Sequence, residues 1–414
     1  VKWPTATIGS VCKPAELSDP RERPNVAFRY VDISSIDRHQ KRIVAAPKII
    51  GAEAPSRARQ EIRTGDILVS TVRPNLNAVA VVPEELDGQI ASTGFCVLRP
   101  TEPKILGRFL FYYCRTGAFV DALVTQVRGA QYPAVSDGNV KAIEVPLPPP
   151  MEQRRIVDIL DQADRLRRLR AEADAKADRI LPALFIKMFG NPLINPMRWP
   201  EVTLESQSDI VTGNTPDTKN REYYGSDVLW ARPADLDGSL VVTETERMLS
   251  ERGREVARVV PGKAVLVVCI GATLGKVGLA GDEMAVNQQI NAVVPCNTLV
   301  PEFLYVQCVL LADRFRAAAT KSTLPILNKS QFGNQKVMCP PKGQQEAFSR
   351  MVRIAISLHS KWSVSRKRLE GLFPTLHRRA FSGDLTATWR DAHMKELLQE
   401  MEQQAMAVAE VRSP

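Results

Sequence analysis

The stretch VPLPPPMEQRRIVDILDQADRLRRLRAEADAKADRIL (145–181) decides how this chain is organised. Proline disfavours helix upstream of itself and is welcome just before one, so VPLPPP (145–150) reads as a joint from which a helix departs. Beyond it Ile156, Leu160, Ala163, Leu166, Ala173, Ala177, Ile180 and Leu184 recur mostly every three or four residues, with charged residues between them. That is the pattern of a helix with one apolar stripe. From 153 to 181 it would be roughly 43 Å long at about 1.5 Å per residue. Such a helix cannot bury its stripe against itself. It needs its own globule or a second helix.

A second helix of the same kind exists. MCPP (338–341) is another joint, followed by Met351, Ala355, Leu358, Trp362, Leu369, Leu372 and Leu376 at similar spacing. Pro182 and Pro374 interrupt the two patterns near the same point, where a kink or a fresh helix start is expected. The residues expected to pack between the two helices are Ile156, Leu160, Ala163, Leu166, Ala173 and Ile180 on one, and Met351, Ala355, Leu358, Trp362, Leu369 and Leu372 on the other. An antiparallel coiled coil is the expected pairing.

The joints belong to a longer repeat. Trp3-Pro4 returns as Trp199-Pro200, STGFCVLRP (92–100) parallels NQQINAVVP (287–295), and Tyr132-Pro133-Ala134-Val135 parallels Leu324-Pro325-Ile326-Leu327. Gln153 is matched with Gln344, and Pro182 with Pro374. A period near 190–200 residues is far too long for a solenoid, so it denotes two copies of one domain-plus-helix unit. Within each copy, short Val/Ile/Leu runs are broken by Gly, Pro, Asn and Asp, with one helix-like stretch, 104–116 or 301–315. The expected fold class is α+β: two similar mixed α/β domains at 1–149 and 191–340, helical spacers at 150–190 and 341–385, and a tail at 386–414, helical or disordered.

Composition sets bounds. The 414 residues carry a net charge of +9, which fits a nucleic-acid partner without demanding one. The longest apolar runs are too short to cross a bilayer, and VKWPTATIGS (1–10) lacks the basic start and apolar stretch of a signal peptide. Seven cysteines without a CxxC pair suit reduced thiols in a cytoplasm better than a disulfide framework or a zinc cage.

Enzymatic motifs do not assemble. GATLGKV (271–277) has three residues between its glycines where a phosphate loop needs four, and Val277 stands where a Mg²⁺-binding Ser or Thr should be. PDTK (216–219) lacks the acidic partner and E-x-K strand of a nuclease. NPLI (191–194) and NPMR (195–198) lack the second proline and the aromatic of an aminomethyltransferase tetrad. His39, His359, His377 and His393 are scattered, so neither a nucleophile–base pair nor a metal site is expected.

Taken in order, RGAQYPAVSDGNVKAIEVPLPPPMEQRRIV (128–157), LPALFIKMFGNP (181–192), VTGNTPDTKNREYYGSDVLWARPADL (211–236), GATLGKVGL (271–279), NQQINAVVP (287–295) and RRAFSGDL (378–385) resemble the specificity (S) subunits of Type I restriction-modification systems, over roughly residues 1–385. The second joint, CPPKGQQEAF (339–348), departs from the pattern in lacking Leu-Pro and the basic EQRRI. The resemblance implies a non-catalytic, cytoplasmic chain with two target-recognition domains, each reading half of a split site in double-stranded DNA. It implies two methyltransferase (M) subunits docked on the helices, and motor-nuclease (R) subunits joining for cleavage. S-adenosylmethionine, ATP and Mg²⁺ would reside in those partners, and no membrane is involved. Two globules at the ends of paired helices would lie about 40 Å apart, close to one turn of B-DNA at roughly 34–36 Å. The alternative is a recognition scaffold recruited to a related phage-defence methylase or nuclease.

Base edges in the major groove are best met by Arg, Lys, Asn and Gln. In the first domain the candidates for DNA contact are Arg38 and Lys41, then Arg73, Asn75 and Asn77, then Arg128, Gln131 and Tyr132. In the second they are Thr215, Lys219, Asn220, Arg221 and Tyr223, then Lys276, then Lys321, Asn328 and Lys329.

Overall fold

The structure is a computed structural model and describes residues 3–127, 133–236, 238 and 240–409, with side chains throughout except at 359–361, 363, 364 and 405–409. The chain forms two compact units. One joins Val1–Leu169 to Lys367–Pro414, and the other is Arg170–Arg366. Each therefore holds one globule and a portion of each long helix.

In the first globule a four-stranded sheet has the order Val79–Val81, Ile67–Ser70, Phe95–Pro100, Cys12–Lys13. A five-stranded sheet runs Glu16–Leu17, Ala58–Ile62, Gln89–Ser92, Ala27–Val31, Lys48–Ile50. Ile67–Ser70 is buried at every position, as an apolar run between two neighbouring strands should be. Ala58–Ile62 buries alternate residues, the period of a strand with one wet face. Thr5–Thr7 pairs antiparallel with Glu144–Pro146, so the start of the globule is tied to the strand that leads into the joint.

The second globule repeats the plan. Ser208–Thr212, Ile290–Pro295, Val265–Val268, Val277–Ala280 and Val241–Val242 form one sheet, and a second five-stranded sheet flanks it. Glu201–Thr203 pairs antiparallel with Lys336–Met338, as Thr5–Thr7 does with Glu144–Pro146. The joints are also alike. Gln153 accepts from the Leu106 N–H at 2.8 Å and donates to the Pro148 carbonyl at 2.9 Å. Gln345 accepts from the Val300 N–H at 3.0 Å and donates to the Pro340 carbonyl at 2.7 Å. The counterpart of Gln153 is thus Gln345, fully buried, and not its exposed neighbour Gln344.

The two prolines are treated differently. The first long helix, Pro150–Ala177, ends before a new helix, Ile180–Phe189, whose first turn contains Pro182, where a missing N–H costs nothing. Pro374 instead lies inside the unbroken helix Lys342–Ser382. Burial of Phe373, His377 and Ala380 around it offsets the lost backbone bond.

Within the first unit Ile156, Leu160 and Ala163 pack into the globule's own core together with Phe373 and Ala380, and the Arg167 guanidinium covers the Phe373 ring at 4.7 Å. Within the second, Phe185 stacks on Phe303 at 5.1 Å and meets Phe348 edge-on at 5.4 Å, while Arg170 covers Trp362 at 5.4 Å. In each unit the later residues of one helix face the earlier residues of the other, an antiparallel sense. The stripe is divided, however. Its ends bury against the globules. Leu166, Ala173, Ile180, Met351, Leu358 and Leu372 are exposed, and Ala355, Trp362 and Leu369 are half-buried.

The tail forms helices Ala387–Ala392 and Met394–Ala409 and lies on the first unit. Arg390 and Thr386 both donate to the buried Glu152 carboxylate, at 2.7 and 2.6 Å, as does the Trp3 indole at 3.1 Å. Gln404 donates to the Lys104 carbonyl at 2.9 Å. Among the described residues no helix is long and apolar enough to cross a membrane.

Candidate nucleic-acid interface

Exposed Arg73 and Asn75 sit on a hairpin device that occurs in both globules. Ile67–Ser70 and Val79–Val81 form a hairpin whose loop, 71–77, is bonded on two sides. The Thr71 N–H donates to Gly94 at 2.9 Å, the Arg73 N–H to Pro133 at 2.8 Å, and the Val135 N–H back to Thr71 at 2.9 Å, with a bridge between Val72 and Ala134. In the second globule Cys269 donates to Gln289 at 2.8 Å, Gly271 to Pro325 at 2.9 Å and Leu327 to Cys269 at 2.8 Å, with a bridge between Ile270 and Ile326. Segments far apart in sequence thereby build one surface: the hairpin loop, the Gly94 or Gln289 turn, and the segment at 133–135 or 325–327.

On the first surface Arg73 and Asn75 are exposed, and Arg38 is exposed on a neighbouring loop. Lys41 and Asn77 are half-buried and joined, because the Lys41 ammonium donates to the Asn77 carbonyl. Burial pushes the Lys41 pKa down to about 8, helped by nearby Arg115 and Arg38 and opposed by Asp37. The Asn77 amide donates to the Cys114 carbonyl at 3.2 Å. Arg128, Gln131 and Tyr132 lie outside the described residues, immediately before the Pro133 that receives the Arg73 N–H.

The second surface is richer in amides. Thr215 accepts from the Asn287 amide at 2.9 Å and donates to the Gln288 side chain, while Gln289 reaches the Ile270 carbonyl at 3.3 Å. The segment Asn287-Gln288-Gln289 therefore links the 212–225 loop to the hairpin loop, with Gln288 exposed between them. Sequence reasoning noted this stretch as part of the repeat and assigned it no contact, although three consecutive amides beside a strand are themselves a signal. Lys219, Arg221, Lys321 and Lys329 are exposed, Tyr223 is half-buried, and half-buried Lys276 points its ammonium toward the Pro233 carbonyl at 3.5 Å. Asn220 and Asn328 are also engaged within the protein. Asn220 accepts from the Glu222 N–H at 3.0 Å, and Asn328 caps a short helix through the Gln331 N–H at 2.8 Å.

Among the described residues no group of three or more His, Cys, Asp or Glu could hold a metal. Burial pushes the Cys12 and Cys269 thiols up to about 12, the wrong direction for nucleophiles. His377 is buried against the Tyr112 carbonyl at 2.7 Å.

What the two copies share is presentation: paired strands hold out a polar loop surface, twice. That defines a duplicated protein whose two globules present the same kind of polar loop surface. The family described as Type I restriction modification DNA specificity domain matches this chain twice, over residues 3–176 and 196–359, and the chain belongs to that family. It is similar to the Type I restriction enzyme HindI specificity subunit of Haemophilus influenzae, at 23% identity over 92% of this chain and 99% of that one. It is also similar to the MjaIX specificity subunit of Methanocaldococcus jannaschii, at 24% identity over 37% of each. A chain solved in work on complex assembly and conformational transition of the type I R-M system is 30% identical, covered over 93% of this chain and 98% of that one, with a TM-score of 0.55. The S subunit from M. genitalium, at 14% identity and a TM-score of 0.56 over 92% and 96%, shares the fold. The globules are thus the DNA sequence-recognition domains of a type I specificity subunit, a class that binds DNA and assembles with other subunits of its system.

Proposed function

We propose that the two globules each read one half of a split DNA site, and that the chain supplies address and no catalysis. The observation that carries this reading is the doubled loop surface: the same backbone ladder ties down the hairpin loop that bears exposed Arg73 and Asn75 in one copy, and in the other ties the hairpin loop to Gln289, beside exposed Gln288. Side chains of these types match base edges, and placing them on rigid strands fixes their geometry. Arg38, Lys219, Arg221, Lys321 and Lys329, all exposed, suit phosphate contacts that set register and make affinity fall with salt.

In this reading two methyltransferase subunits dock along the helices, whose exposed apolar positions include Leu166, Ile180, Ile354 and Leu358. The methyltransferases would hold S-adenosylmethionine and flip an adenine out of each half-site. Motor-nuclease subunits, holding ATP and Mg²⁺, would join for cleavage. Seven unpaired cysteines support a reducing compartment such as the cytoplasm.

The test is methylome sequencing of cells that express this chain together with a methyltransferase subunit of the same system. A split adenine-methylated motif, lost when either gene is deleted, is the expected result. Exchange of residues 1–149 for another recognition domain should alter one half of the motif. Alteration of both halves, or no motif with both proteins expressed, would overturn the proposal.

A further inference from the structure

The two hairpin loops solve one backbone problem in two ways. Their ladders place Arg73 opposite Gly271 in the repeat, and Asn77 opposite Gly275. In the second loop both positions are glycine, with φ of 97° and 90°, which glycine adopts freely. In the first, Arg73 and Asn77 adopt φ of 50° and 45°, on either side of the tight turn Pro74–Leu76. An arginine there is uncommon, and a left-handed side-chain-bearing residue persists only where its surroundings hold it.

Arg73 is held by its backbone bonds to Pro133 and Leu76, while Asn77 at the far end of the same turn is held from another loop. Lys41, itself at φ 54°, places its ammonium on the Asn77 carbonyl, and the Asn77 amide is anchored on the Cys114 carbonyl. In the second loop glycine removes the strain at both positions, and the Arg316 guanidinium donates to the Leu274 carbonyl at 3.3 Å, one residue before Gly275. Lys41 is also poorly disposed to meet DNA. It is half-buried and its ammonium is committed inward, whereas Arg73 and Asn75 on the turn it holds are exposed. The charged groups around it are Arg115, Arg38 and Asp37.

We infer that Lys41 is a positioning residue, a latch on the Asn77 carbonyl that fixes the 71–77 turn in the form presenting Arg73 and Asn75 to DNA. This rests on the reading of the first globule as the reader of one half-site. The geometry also accounts for a lysine in a place where it is half-desolvated: the latch replaces glycine, and so permits a reading arginine at a position where the second copy has no side chain.

The test uses the full chain co-expressed with its methyltransferase, with binding measured on duplexes mismatched in either half-site across a salt series. Lys41→Met should relax discrimination at the first globule's half-site by about tenfold, leave the other half-site unchanged and leave the salt slope unchanged. Lys41→Arg, which keeps a donor, should retain most discrimination. Adding Asn77→Gly to Lys41→Met should recover part of the loss, because glycine holds the turn without the latch. If Lys41→Met weakens binding to all sequences alike and lowers the salt slope by about one, Lys41 contacts a phosphate and the latch is wrong. Unchanged discrimination in Lys41→Met also overturns it. The underlying reading fails separately, if Arg73→Ala leaves both half-sites untouched.

Discussion

Arg353 donates to Glu302 at 2.9 Å where the second long helix leaves its globule, and the same two places in the first copy hold Asp161 and Arg108. The polarity is reversed while the position is kept. Each globule residue lies two after the N–H that the joint glutamine receives, and each helix residue lies eight after that glutamine. Glu302 is buried and Arg353 is half-exposed, so the two partners should not be equally costly to lose. Arg353→Ala leaves a buried carboxylate without its partner and should destabilise the second unit by about 1–3 kcal/mol. Glu302→Ala leaves a solvated guanidinium and should cost less. The double change Glu302→Arg with Arg353→Asp should restore most of the loss, because the first copy already uses that polarity. Urea unfolding of the four proteins checks this. Equal losses for both single variants would contradict it.

His377 makes the first unit sensitive to acid. It stacks on Phe373 and bonds the Tyr112 carbonyl, and burial lowers its pKa from 6.5 to about 4, with Arg115 adding to the fall and the hydrogen bond opposing it. Below pH 6.5 the unfolded chain takes up a proton that the folded chain refuses. Stability present above 6.5 is therefore lost as the pH falls toward 4, by about 3 kcal/mol in all. The repeat supplies the control: Phe185 stands three residues after Pro182, as His377 stands three after Pro374. His377→Phe should flatten this dependence, and the Tyr112 carbonyl keeps the Arg115 N–H at 3.1 Å. Thermal melts at pH 7 and pH 5 read the difference. An unchanged pH dependence in the variant would place the acid sensitivity elsewhere.

The sequence made the duplication, the joints and the antiparallel helices legible, because Pro-rich boundaries and three-and-four spacing survive divergence. The division of the stripe was not legible. Ile156 and Leu166 have the same apolar character, and whether a globule lies beneath them is decided by tertiary packing that periodicity does not record. The joint parallel fell one residue short, on Gln344, since adjacent glutamines are indistinguishable until their hydrogen bonds are seen. In the candidate interface the exposure of Arg73 and Asn75 on a loop could be read from residue type and position. That Lys41 faces inward could not, because its partner is a backbone carbonyl 36 residues away.

The tail should matter to the first unit. Glu152 is fully buried and receives Arg390, Thr386 and the Trp3 indole, while the Arg390 guanidinium covers the Trp3 ring at 5.3 Å. Arg390→Met removes the positive charge from a buried pair, which typically costs about 3–5 kcal/mol when the other charge stays behind. Adding Glu152→Gln removes that stranded charge, so the double variant should be more stable than Arg390→Met alone. A double variant less stable than the single one would mean the carboxylate is held by Trp3 and Thr386 without need of the arginine.

Gln288 should help set the specificity of the second domain. It is exposed between the 212–225 loop and the 269–276 hairpin loop, and its side chain receives the Thr215 hydroxyl, which is itself fixed by the Asn287 amide at 2.9 Å. An amide oriented in this way offers the paired donor and acceptor that match adenine in the major groove. Gln288→Ala should relax one position of the second half-site by about 1–3 kcal/mol of discrimination and leave the first half-site as it was. Thr215→Val removes the hydroxyl and keeps the shape, so it should give a smaller loss at the same position. Binding to duplexes mismatched one position at a time resolves the three cases. A Gln288→Ala protein with a wild-type profile would remove Gln288 from the interface, and a loss spread evenly over all sequences would assign it to the backbone instead.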